Sequence, residues 1–201
     1  MQIDSDFEFQ IKIVLIGDSG VGKTNFIFQF TEGRFSPLHV TTVGFDYKSK
    51  IIKLPNSKKR VKLQIWDTAG QERYMALNKN IFQKVQGIIL MYDLTNRSSF
   101  EHLSRWLNLI SQNVTNKAKI LVANKLDMVD QRIITEEEGE KVASQNNMQF
   151  FEGSGANGEN VDKIFSTLAE MVYEKLVEEK DTDAPAIKLG NKDNKKRKCC
   201  S

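Results

Sequence analysis

An apolar run, Ile11, Ile13, Val14, Leu15 and Ile16, stops at the octapeptide GDSGVGKT, Gly17 to Thr24, and apolar residues resume at Phe26, Ile27 and Phe28. Few stretches restrict a chain more. The run before it is short and rich in β-branched residues, which predicts a strand, and the segment after it predicts a helix. Gly17, Gly20 and Gly22 allow turns and close approaches that a Cβ blocks, so successive N–H groups can converge on an anion. A helix starting near Lys23 adds the positive end of its dipole. Lys23 brings a cation, and Thr24 brings a hard hydroxyl oxygen of the kind Mg²⁺ prefers.

A glycine, four residues and then Gly-Lys-Thr, set between a strand and a helix, make up the P-loop signature, and the group such a loop holds is a nucleoside triphosphate. Ser19, Gly20, Val21, Gly22, Lys23, Thr24 and Asn25 are the candidate phosphate-binding residues. The plain alternative is a glycine turn that merely joins two elements. By itself the motif names neither base nor reaction.

With 201 residues there is room for one domain with a real core. Short β-rich runs alternate with longer amphipathic ones, which predicts strands over 10–16, 44–54, 61–67, 86–92, 118–123 and 148–152. Helices are predicted over 23–31, 72–82, 97–112, 135–147 and 159–179. Between the second strand and the third lies Pro55-Asn56-Ser57-Lys58, in a link too short for a crossover, so these two are expected to pair antiparallel. Thr135 followed by Glu136, Glu137 and Glu138 writes a capping box. The expected fold is therefore α/β: a P-loop NTPase with a six-stranded, mostly parallel sheet, one antiparallel edge strand and helices on both faces. Residues 1–9 are an N-terminal extension, 10–179 the domain, and 180–201 a tail without apolar periodicity, expected to be disordered. The acidic start MQIDSDFEFQ and strand-sized apolar runs predict neither a signal peptide nor a membrane-spanning helix.

WDTAGQE, Trp66 to Glu72, and NKLD, Asn124 to Asp127, each follow a predicted strand, at the sheet end where open α/β sheets bind ligands. With these residues the chain resembles the Ras-superfamily small GTPases, and within them the Rab family, over residues 10–179 and again at the tail. A carboxylate at Asp127 can accept from the N1–H and 2-amino group of guanine. Adenine would leave it unpaired, at a cost of about 1–3 kcal/mol. The resemblance implies that Asn124 faces the other edge of the base and that the Lys125 stem lies over the ring. It also implies that Asp67 supports Mg²⁺ through a water, that the Gly70 N–H meets the γ phosphate, and that Gln71 orients the attacking water. Lys23 and Gln71 are then the catalytic residues.

TEGRFSPLHVTTVGFDY resembles the first switch segment. By that likeness Thr42 is a further Mg²⁺ hydroxyl beside Thr24, with neighbouring Thr41 a competitor. Phe35 matches an aromatic packed against guanine, with a core anchor as the lesser alternative. The family usually shows Ser-Ala-Lys before its last helix, whereas EGSGANG places Ser154, Gly155 and Ala156 there. Gly155 can still offer a backbone N–H to guanine. The run IFQKVQG also departs from the family pattern.

Residues 188–201 carry Lys188, Lys192, Lys195, Lys196, Arg197 and Lys198 against Asp193 alone, so the chain's net charge of +3 hides a slightly acidic remainder. Both cysteines, Cys199 and Cys200, stand next to last, so the domain has no thiol and a reducing, cytoplasmic setting fits. Lysines near an anionic surface contribute about 1 kcal/mol each at best. The terminal CCS resembles the paired-cysteine ends of Rabs, which are prenylated, and two lipid chains beside a basic patch would make a stable anchor. An unmodified exposed pair is the alternative.

The resemblance implies a slow GTPase switch in vesicle traffic that cycles between cytoplasm and the cytoplasmic face of an intracellular membrane. Its implied partners are GTP or GDP with Mg²⁺, an exchange factor, a GTPase-activating protein, a GDP-dissociation inhibitor, prenylation machinery and effectors. A monomer is expected, and nucleic acid is not an expected partner. Two other readings are a permanently loaded scaffold with negligible turnover and a P-loop metabolic kinase, which DTAGQ and NKLD disfavour.

Overall fold

A computed structural model describes residues 7–36, 45–68 and 79–182. Strand β1 (Phe9–Ile16) leads into helix α1 (Lys23–Glu32), followed by β2 (Phe45–Lys53) and β3 (Arg60–Thr68). Next come α2 (Lys79–Lys84), β4 (Gly87–Asp93), α3 (Arg97–Glu101), α4 (Leu103–Asn113) and β5 (Ala118–Asn124). A 3-10 segment (Leu126–Gln131), α5 (Glu136–Gln145), β6 (Gln149–Glu152) and α6 (Val161–Thr182) complete the chain. The sheet order is β2-β3-β1-β4-β5-β6. Only β2 runs antiparallel, at the edge, while the neighbours of β1, β4 and β5 are all parallel. The expected architecture is the observed one.

Alternation along the central strands builds two cores. Ile11, Ile13 and Leu15 of β1, Ile89 and Met91 of β4, and Ile120 and Val122 of β5 face α1 and α6, where they meet Phe26, Phe30, Phe165 and Leu168. Val14, Ile16, Ile88, Leu90 and Leu121 face the other way, against Phe82, Leu103, Trp106, Ile110 and Ala143. A strand buried on both faces reads as a continuous apolar run, which is why β4 lacks visible alternation. The parallel strands end together, so Gly17, Thr68, Asp93 and Asn124 gather along one rim of the sheet.

Several boundaries differ from the expectation. The predicted helix over 97–112 is observed as two that meet at His102, which keeps helical backbone angles and whose ring, like that of Trp106 one turn later, turns toward Asp18. The 3-10 segment after NKLD has no periodic signal to announce it. Helix α6 runs on to Thr182, past the predicted end at 179. Of the predicted helix over 72–82, only Lys79 onward lies among the described residues. Among those residues no helix is long and apolar enough to cross a membrane.

Candidate nucleotide site

The octapeptide folds over the carboxyl end of β1. Gly17 (φ +142°) passes so close to β4 that a Cβ would stand 2.2 Å from the Met91 carbonyl oxygen. Gly22 (φ +97°) begins α1 in the left-handed region, where a Cβ would meet the Asn124 side-chain nitrogen at 2.5 Å. No side chain caps α1. Its first amides therefore face the loop rather than a Ser, Thr or Asp oxygen.

Lys23 is buried, 5% exposed, and its Nζ donates to the carbonyls of Gly17 at 2.8 Å and Asp18 at 2.7 Å. Burial lowers its pKa to about 8 against the opposing pull of Asp67 and Asp18. An ammonium so placed awaits a nearby anion. Thr24 donates its hydroxyl to Asp67 Oδ2 at 2.6 Å, joining the start of α1 to the end of β3. The pair offers two hard oxygens beside the lysine, a donor set that suits Mg²⁺.

At the other end of the rim, Asn124 is buried and staples two loops together. Its Nδ2 donates to the Val21 carbonyl at 2.7 Å, and its Oδ1 accepts from the Gly155 N–H at 3.0 Å. The side chain expected to face a base thus joins the phosphate loop to the 154–156 loop, and the Gly155 N–H expected to point at guanine is already engaged with it. Ser154 donates to Asp127 Oδ1 at 2.5 Å and aims that carboxylate. Lys125 has φ +72° and pairs its ammonium with Asp93 at 2.6 Å. A cavity of about 210 Å³ is lined by Gly20, Gly22, Asn25, Phe35, Asn124, Lys125, Asp127, Met128, Gly155 and Ala156. Phosphate-loop glycines and the candidate base-reading carboxylate therefore share one hollow.

The Ras family model matches residues 12–195. Ras-related protein Rab-3A of Homo sapiens is 42% identical over 185 residues, 92% of this chain and 83% of that protein. The chain belongs to the Ras family, among the Rab small GTPases. Ras-related protein Rab-10 of Diplobatis ommata is 39% identical over 97% of this chain and 98% of its own length. GTP-binding protein ypt2 of Schizosaccharomyces pombe is 39% identical over 96% and 98%.

In this Rab, some predicted residues stand off the cavity: Ser19 is exposed in the turn before Gly20, and Val21 is buried and offers its carbonyl to Asn124. Thr41, Thr42, Gly70, Gln71, Cys199 and Cys200 lie outside the described residues. Glycine at 155 has a packing reason, since a Cβ there would lie 3.0 Å from Phe26 N and 3.1 Å from its Cα, backbone atoms that cannot swing aside. Two participants were not singled out in the sequence. Met128 lines the cavity. Asp18, a carboxylate in a loop built for phosphate, is held aside by Trp106 Nε1 at 2.9 Å and His102 Nδ1 at 2.6 Å. Its charge was the available signal, because an anion there needs a partner other than the ligand.

Proposed function

We propose that the chain acts as a timed switch: GTP-bound it recruits effectors to a membrane, and hydrolysis to GDP and phosphate ends the recruitment. It is a small GTPase that regulates vesicle trafficking. The observation that carries the site assignment is the single cavity with Gly20 and Gly22 at one end and Asp127 at the other. Polyphosphate lies along the glycine loop, where Lys23 and the start of α1 hold its charge. Asp127, aimed by Ser154, accepts from N1–H and the 2-amino group of guanine.

The Thr24 hydroxyl and, through a water, the Asp67 carboxylate would hold Mg²⁺ with Thr42, and the ion would neutralise phosphate charge. Gln71 orients a water in line with the γ phosphorus. A new P–O bond forms as the bond to the β-phosphate oxygen breaks, and Lys23 with the loop amides stabilises the charge that gathers on the GDP leaving group. By likeness to the family, turnover is slow and an activating protein accelerates it. Exchange factor, GDP-dissociation inhibitor and prenylation machinery complete the cycle. Lipids on Cys199 and Cys200, with the basic tail, anchor the protein to the cytoplasmic face of an intracellular membrane. Membership among the Rab GTPases does not favour the permanently loaded scaffold.

Single-turnover phosphate release from GTP-loaded protein tests the mechanism. Gln71→Leu is expected to slow release by tenfold or more, on the order seen for loss of a water-positioning group, with GDP affinity nearly unchanged. A wild-type rate in that variant removes Gln71 from the chemistry.

A further inference from the structure

Asn25, the third residue of α1, lines the cavity, and its side chain meets the backbone of a residue eleven positions on. Its Nδ2 donates to the Ser36 carbonyl at 2.9 Å, and its Oδ1 accepts from the Ser36 N–H at 3.2 Å. Both backbone groups of one residue are thus satisfied by one planar amide. Only Asn or Gln carries a neutral amide donor and acceptor side by side in this way. Orientation is fixed as well, because a flipped amide would set donor against donor and acceptor against acceptor.

Ser36 directly follows Phe35, an aromatic that lines the cavity while 47% exposed. A ring so exposed is not held by core packing, so its position depends on the backbone either side. On the other side Arg34 pairs with Glu32 at 2.5 Å and stacks over Phe28, 4.7 Å from the ring centroid. That pair is well exposed, and exposed ion pairs constrain weakly. The amide bridge to Ser36 is part-buried and paired at both ends, which makes it the firmer bracket. The backbone of Asn25 is itself fixed, since it begins a helix packed beneath Gly155 and its neighbour Thr24 is bonded to Asp67.

We propose that Asn25 is a positioning residue: its side-chain amide clamps the Ser36 backbone, holds Phe35 at the mouth of the cavity, and so sets how long guanine nucleotide stays bound. This rests on the cavity being the nucleotide site. The clamp acts through Ser36 and Phe35, a role the sequence-based placement of Asn25 among the phosphate-binding residues does not contain.

The test uses the full chain and two variants, Asn25→Ala and the near-isosteric Asn25→Asp, each loaded with fluorescent N-methylanthraniloyl GDP in Mg²⁺ buffer and chased with excess GDP. Loss of two part-buried hydrogen bonds predicts release about five- to tenfold faster from Asn25→Ala. Asn25→Asp keeps the acceptor but sets an anion against the Ser36 carbonyl, so it is expected to release at least as fast. A local readout accompanies the rates: trypsin cleavage after Arg34 is expected to accelerate in both variants ahead of cleavage elsewhere. Wild-type release rates in both variants overturn the clamp, as does a uniform rise in cleavage at all sites, the mark of general loosening. A wild-type chain that takes up no labelled GDP overturns the nucleotide reading and the clamp with it, a result distinct from normal loading with unaltered release.

Discussion

Helices α1 and α5 are each ten residues long and begin in opposite ways. Helix α5 is finished from within: Thr135 Oγ1 accepts from the Glu138 N–H at 3.3 Å, Glu138 Oε2 accepts from the Thr135 N–H at 2.9 Å, and three glutamates occupy the first turn. Helix α1 starts at a left-handed glycine with no side-chain cap and no acidic residue, and its first helical residue is a buried lysine at the positive end of the dipole. Charge and dipole agree in α5 and conflict in α1. A helix start complete by itself serves the fold, whereas one left in conflict is completed by a ligand of opposite charge.

The strongest way to break this comparison is Lys23→Ala, which removes the cation from the open start. Guanine nucleotide affinity, followed by titration with GDP, is expected to fall about a hundredfold or more, as befits loss of charge-assisted contacts to phosphate. Retained affinity would mean that the glycine loop alone holds the ligand.

Titration sharpens the contrast without any mutation. The Lys23 pKa is lowered from 10.5 to about 8 on folding, chiefly by burial, so between those values the unfolded chain binds more protons than the folded one. Stability of the nucleotide-free protein is therefore expected to rise with pH across about 8 to 10.5, Lys23 contributing at most about 3 kcal/mol, and bound GDP should diminish the rise. Urea melts at the two ends of that window, with and without GDP, read it directly.

At α5 stability again rises with pH, but there folding favours the charged form of the group instead of opposing it. Arg97 first, and the Thr135 N–H second, hold the Glu138 carboxyl below its usual range. Its contribution is thus present above about pH 4.5 and is lost as pH falls through the lowered folded value. Thr135→Ala is expected to cost about 1 kcal/mol at neutral pH in a denaturant melt, with nucleotide affinity unaltered. A larger loss of affinity than of stability there would erase the distinction between the two starts.

Both helix starts were legible because each is written in consecutive residues: GDSGVGKT for the open one, TEEE for the closed one. The mostly parallel sheet and its antiparallel edge followed from the short Pro55-Asn56-Ser57-Lys58 link and from strand and helix periodicity, whereas the strand order did not. What escaped was pairing between distant residues. Nothing local announces that His102 and Trp106 reach back to Asp18, or that Asn124 joins Val21 to Gly155. The clamp from Asn25 to Ser36 escaped for the same reason, since its second partner is a backbone, and a backbone leaves no trace in residue type.

Competition at the cavity bears most directly on the claim that one hollow holds phosphate at α1 and reads guanine at Asp127. Purified protein in Mg²⁺ buffer, loaded with labelled GDP and challenged separately with GTP, GDP and ATP, is predicted to release its label to either guanine nucleotide while ATP displaces little even in large excess. Displacement by ATP as effective as by GTP, or no uptake of label at all, would contradict it.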